Sequence, residues 1–137
     1  MKVSRDNLLN AAMMAPQKGL FEEAEDGYRK LLEAYQEDAQ VLFQLGTLKY
    51  QTGAYEEAVK YLQYSLKIEP ENIRALNSLG VSYFSLNDVP RAINTLEHAI
   101  RRKPNDIDLH VNKGNILKTI GRYEQALECF QSVLELD

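Results

Sequence analysis

The sequence predicts an all-α fold, a right-handed superhelix of stacked helix-turn-helix units. Three observations carry this. The chain repeats every 34 residues without an insertion, so the stretches beginning at Arg5, Ala39, Ile73 and Ile107 superpose end to end. Small residues recur in phase, as Ala12, Gly46, Gly80 and Gly114 and again as Ala24, Ala58, Ala92 and Ala126. A turn residue, Gly19, Gly53, Asn87 or Gly121, divides each repeat. So strict a period is the mark of a solenoid, in which each unit buries its apolar face against the next. Residues 1–137 are read as one domain with repeats at 5–38, 39–72, 73–106 and 107–137.

Repeat one opens a helix at Arg5. Pro16 falls near its end, so this helix ends early or kinks. Gly19 makes the turn, and Phe21-Glu22-Glu23 starts the second helix with acids where the helix dipole favours them. Gln36 stands where later repeats carry a proline. In repeat two, Leu42, Leu45, Gly46 and the stem of Lys49 fall at i, i+3, i+4 and i+7, one face of a helix. Gly53 stops it, since glycine takes the left-handed conformation freely. Tyr55-Glu56-Glu57 opens the second helix, whose apolar face is Ala58, Leu62, Ser65, Leu66 and Ile68, and Pro70 ends it. In repeat three Asn87 takes the turn, Asp88 is the N-cap, and Pro90 is tolerated in the first helical turn. Repeat four turns at Gly121 and continues from Tyr123. The recurrent glycines and alanines let the two helices of one unit approach closely, and a bulky residue there would overpack the pair. Phe21, Tyr55 and Tyr123 follow the turns, where they can fill the wedge between neighbouring units.

Bulk properties narrow the function. A net charge of -4 argues against nucleic-acid binding, which needs a basic face. Arg101-Arg102-Lys103 reads as a helix C-terminus, where cations complement the dipole. One cysteine cannot form an internal disulfide, and neither a secretory signal nor a membrane-spanning run is apparent, so a cytoplasmic setting is expected.

The pattern resembles the tetratricopeptide repeat (TPR), a helix-turn-helix unit of the same period. Repeat two carries it through Leu42, Leu45-Gly46, Gly53-Ala54-Tyr55, Glu57-Ala58, Leu62, Leu66 and Pro70. Repeat three does so through Leu76, Leu79-Gly80, Tyr83, Ala92, Leu96, Ala99 and Pro104, and repeat four through Gly114, Gly121-Arg122-Tyr123, Ala126 and Phe130. Lys49, His110 and Lys113 depart from it, standing at usually apolar places, and repeat one diverges most. The resemblance implies a protein-interaction scaffold that takes a peptide or partner protein in a concave groove. The alternative is a substrate-recruiting module of a larger bacterial glycosyl- or methyltransferase.

Helical geometry says where such a groove would lie. With each repeat numbered from its first residue, places 4, 7, 8 and 11 of the first helix face its partner helix, and places 2, 6, 9 and 13 point away. Only three of those sixteen outward residues are charged, whereas sixteen of twenty-four are charged on the exposed places of the second helices. Place 6 forms a ladder of Asn10, Gln44, Ser78 and Asn112, groups able to bond a peptide backbone. The ladder is similar to the asparagine ladder of the O-GlcNAc transferase superhelix, with Gln44 and Ser78 in two of its rungs. Met13, Thr47, Val81 and Asn115 stand beside it, Arg74 at its edge, and Phe43, Tyr50 and Phe84 on its shoulders as apolar anchors. These twelve are the expected peptide-binding residues. The carboxylate clamp of co-chaperone TPRs is not matched, since only Arg74 among the corresponding places could serve it.

No catalytic constellation, metal-ligand spacing, phosphate loop or cofactor motif is found, so no enzyme activity, metal or cofactor is expected. His98 reads as a surface residue, His110 as a packing residue, and Cys129 as a small, partly buried hydrophobe. The last helix carries Leu127, Phe130, Val133 and Leu134, a stripe whose outer side is expected to be open. That stripe could be met by self-association through the uncapped C-terminal repeat.

Overall fold

The computed structural model describes residues 4–136, apart from the side chain of Lys18. These residues form eight α-helices and one 3₁₀ turn, with no strand among them. They fall into two compact units divided after Pro70. The first holds α1 (Arg5–Met14), the 3₁₀ turn Pro16–Lys18, α2 (Phe21–Ala34), α3 (Ala39–Gln51) and α4 (Tyr55–Ile68). The second holds α5 (Ile73–Ser85), α6 (Val89–Arg102), α7 (Ile107–Thr119) and α8 (Tyr123–Leu136). Each unit is thus two helical hairpins, and each hairpin is one sequence repeat.

The punctuation follows the expected residues. Pro16 ends α1 early and carries the chain into the 3₁₀ turn. Gly19, Gly53, Asn87 and Gly121 all have positive φ, between 64° and 84°. Beyond the turns at Gly53, Asn87 and Gly121 a backbone N–H returns to the last turn of the first helix, as Ala54 N donates to Lys49 O at 2.8 Å and Arg122 N to Leu117 O at 2.8 Å. These bonds satisfy carbonyls that the helix end would otherwise leave unmade. Asp88 caps α6 by accepting from Arg91 N, and Pro90 lies in that first turn. Where repeat one lacks its proline, Glu37 takes a left-handed φ of 60° to link α2 to α3.

The first helices share a device at their starts. Ser4, Asp38, Asn72 and Asp106, one repeat apart, each accept a backbone N–H of the helix they precede. A side-chain oxygen so placed satisfies an orphan donor of the first turn.

The small residues set the separation of the hairpins. A Cβ on Gly46 would stand 2.8 Å from Leu62 Cγ, and one on Gly80 2.8 Å from Leu96 Cγ. On Gly114 it would stand 2.7 Å from the Phe130 ring. Repeat one reverses the arrangement: Ala12 holds the glycine place, and the opposing residue is Gly27, where an added Cβ would meet Ala12 Cβ at 3.0 Å. Ala24, Ala58, Ala92 and Ala126 are buried on the second helices. The Ser65 hydroxyl, also buried, donates to Ala39 O at 2.8 Å and ties α4 to the start of α3.

In the first unit the core gathers Leu9, Tyr28, Leu31, Val41, Leu45 and Leu48. Its two hairpins are joined at one edge by Arg5, whose guanidinium bonds Asp38 with Nε–Oδ2 of 2.6 Å. Lys49 joins α2 to α4 across α3, with Nζ 2.5 Å from Glu25 and 3.0 Å from Glu57. In the second unit Leu117, Ala126 and Cys129 pack with Ile93, Ile120 and Phe130. There Lys113 Nζ lies 3.4 Å from Glu97, and Arg102 pairs with Glu71 at 2.8 Å.

Candidate functional site

Each unit presents its own first-helix wall. In the first, Asn10 is exposed on α1, while Met13 on α1 and Gln44, Thr47 and Tyr50 on α3 are half-buried. In the second, Arg74 on α5 and Asn115 on α7 are exposed, while Ser78, Val81 and Phe84 on α5 and Asn112 on α7 are half-buried. Three of these eleven residues are thus exposed and eight half-buried.

Phe43 departs from the expected wall. At 6% exposure it lies in the packed interior and is not an anchor for a ligand. Place 5 turns toward the neighbouring helices as much as toward the wall. Leu9, at the same place in repeat one, is buried for the same reason. Tyr50 is half-buried, its ring 5.3 Å from that of Tyr55 and tilted by 56°.

Several wall groups bond within the chain. Asn112 Nδ2 donates to Asn77 Oδ1 at 2.8 Å, linking α7 to α5. This single bond uses one of the donors of Asn112, and an amide has a second N–H and a carbonyl besides. The Thr47 hydroxyl donates to Phe43 O at 3.0 Å, and the Thr119 hydroxyl to Asn115 O at 2.8 Å. Both hydroxyls thus lie along their own helices, which leaves the amides as the more available polar groups of the walls.

The electrostatics are concentrated elsewhere. Hydrogen bonds from Lys49 and then Arg29 hold the Glu25 carboxyl below its ordinary value, and Glu25 in turn raises Lys49. Asp38 raises Arg5 through its hydrogen bond. Burial pushes the Tyr28 hydroxyl up to about 12 and raises the Cys129 thiol. His110 is structural, with Nε2 2.6 Å from Pro104 O. A carbonyl can only accept, so that nitrogen carries the proton. Among the described residues no group of His, Cys, Asp and Glu could hold a metal ion. None of the described helices is long and apolar enough to cross a membrane.

On α8, Tyr123, Leu127 and Leu134 are 69%, 57% and 73% exposed. Phe130 instead packs on Gly114 of its own partner helix.

Solved structures share this fold. MamA matches with a TM-score of 0.87 at 22% identity, over 97% of this chain and 78% of that one. Pseudomonas aeruginosa pilF matches with a TM-score of 0.86 at 22% identity, over 98% of this chain and 61% of that one. A thermophilic TPR protein of Thermus thermophilus matches with a TM-score of 0.84 at 18% identity, over 98% of this chain and 75% of that one. A search of curated protein sequences finds no match. Sequence profiles described as Tetratricopeptide repeat match residues 9–73, 49–111 and 107–137. With four hairpins of the required period and three profile matches that together span residues 9–137, the chain belongs to the tetratricopeptide repeat family.

Proposed function

We propose that this protein is an interaction scaffold that holds an extended segment of a partner protein against its first-helix walls. The observation that carries the reading is the contrast between faces. The outward places of the first helices are amides, hydroxyls and small apolar groups, whereas those of the second helices are mostly charged. Charged side chains solvate a face well, so a face that avoids them is suited to burial against another molecule. Gln44 and Asn112 supply paired donors and acceptors for a peptide backbone, and Tyr50 and Phe84 supply apolar anchors.

A photo-crosslinking amino acid placed singly at Gln44, Ser78 or Asn115 tests this, with Glu56, Lys60 and Lys67 as controls on a second helix. Crosslinks to one partner from the first set and not the second are expected. Crosslinks confined to the second set would move the site to the charged face.

The exposed stripe of Tyr123, Leu127 and Leu134 supports a second contact, with another copy of this chain. Light scattering over a concentration series checks it. Association should be concentration-dependent and lost in Leu134→Glu; a strictly monomeric parent would rule it out.

A further inference from the structure

The two units are one arrangement written twice, with counterparts 68 residues apart. The first unit therefore shows what ordinarily fills a given space in the second. In the first unit Tyr61 is half-buried and packs against the core. Glu25 pairs there with the Arg29 guanidinium at 2.8 Å. Lys49 spans this groove from Glu25 to Glu57.

The second unit has lost that filling. The counterpart of Tyr61 is Cys129, and that of Tyr64 is Ser132. The charged Glu25 and Lys49 become Ile93 and Leu117. Between α6, α7 and α8 there remains a cavity of about 260 Å³. Ile93, Leu117 and Cys129 give it an apolar floor, and Glu97, Lys113 and Arg122 a polar rim. Drug-sized ligands occupy sites of roughly 300–1,000 Å³, so this space suits a single large side chain.

We propose that the cavity receives a tyrosine side chain from a partner polypeptide, in the place that Tyr61 fills from within in the first unit. The ring would cover Ile93 and Leu117. A buried phenol also needs a partner for its hydroxyl. Glu97 stands where the first unit has Arg29, and it can accept from a phenol O–H, which a guanidinium cannot. A phenylalanine would cover the same floor but leave the Glu97–Lys113 pair partly desolvated with nothing in exchange. The cavity lies between α7 and the second helices α6 and α8, and it shares no residue with the first-helix walls, so it binds whether or not those walls do.

NMR titration of the whole chain with N-acetyl-tyrosinamide tests it, alongside N-acetyl-phenylalaninamide and an alanine pentapeptide with tyrosine at its centre. Both tyrosine probes should shift the amides of Glu97, Leu117 and Cys129, and the phenylalanine probe should bind more weakly. Cys129→Tyr fills the space from within and should abolish those shifts without lowering Tm. If that variant fails to fold, Glu97→Ala decides: it should weaken the tyrosine probes about 2- to 10-fold, the value of one hydrogen bond, and remove their advantage over the phenylalanine probe. No shifts in the parent, shifts that persist in Cys129→Tyr, or equal affinity for the two aromatic amides would each overturn the proposal. Binding of tyrosinamide without binding of the pentapeptide would overturn the assignment to a polypeptide.

Discussion

At the scale of residues, Lys49 is tolerated at a packing place because two carboxylates meet it. With side-chain exposures of 13% for Lys49 and 26% for Glu25, the pair is sheltered enough for its hydrogen bond to matter. Glu25→Gln should cost about 1–2 kcal/mol at neutral pH, since solvent screening at this partly exposed pair holds it to the lower part of the roughly 1.5–3 kcal/mol typical of hydrogen bonds to charged groups. The folded Glu25 lies below its ordinary value of 4.5, so its contribution is complete above 4.5 and is lost as pH falls through the folded value. Lys49 is raised above 10.5, so its share is complete below 10.5 and lost as pH rises past the folded value. Urea titrations of parent and variant should therefore differ by a constant amount across neutral pH and converge in acid. A gap that persists undiminished in strong acid would assign the loss to packing. Ala92→Leu is a second test, since Ala92 is fully buried on α6 near Gly80. Overpacking should cost about 1–3 kcal/mol, and a neutral result would mean that α5 and α6 can separate without loss.

At the scale of elements, the caps make an internal comparison. The Asp106 carboxylate caps α7 and otherwise lies 3.9 Å from Lys103 on the exposed edge, whereas the Asp38 carboxylate caps α3 and also takes the Arg5 guanidinium at 2.6 Å. Asp106→Ala should cost about 1 kcal/mol, as cap deletions do. Asp38→Ala should cost more, and Asp38→Asn should recover the cap alone; equal losses at the two caps would mean that Arg5 contributes nothing. Much of this was legible in the sequence. The turn residues and the glycine–alanine contacts follow from period and size, because each acts locally or on its own hairpin partner. The four first-helix caps recur as plainly as the glycines, and the pattern of Ser4, Asp38, Asn72 and Asp106 is visible once a boundary is placed just after them. What the sequence hid was long-range. Lys49 lies on α3, but its partners come from α2 and α4. Phe43 sits at the edge of a helical face, where a few tens of degrees decide between wall and core. Glu37 adopts a conformation unfavourable for its type, and only the missing proline nearby hinted that the linker differs.

At the scale of the whole molecule, the repeats are similar but their charges are not shared. One groove is closed by Tyr61 and Lys49, and its counterpart is left open beside Cys129. This is how a repetitive architecture acquires distinct surfaces, because a substitution at one place of one repeat leaves the helical frame intact. The same logic applies to the walls, where the amides can change without altering the packing below. The most direct test of the central claim is the affinity of the crosslinked partner segment for Gln44→Ala combined with Asn112→Ala, measured by calorimetry beside the melting temperature. The account predicts weaker binding, by about 0.5–1.5 kcal/mol for each hydrogen bond lost, at an unchanged Tm. Unchanged affinity in the double variant, with binding lost instead when Glu56, Lys60 or Lys67 is replaced, would contradict it.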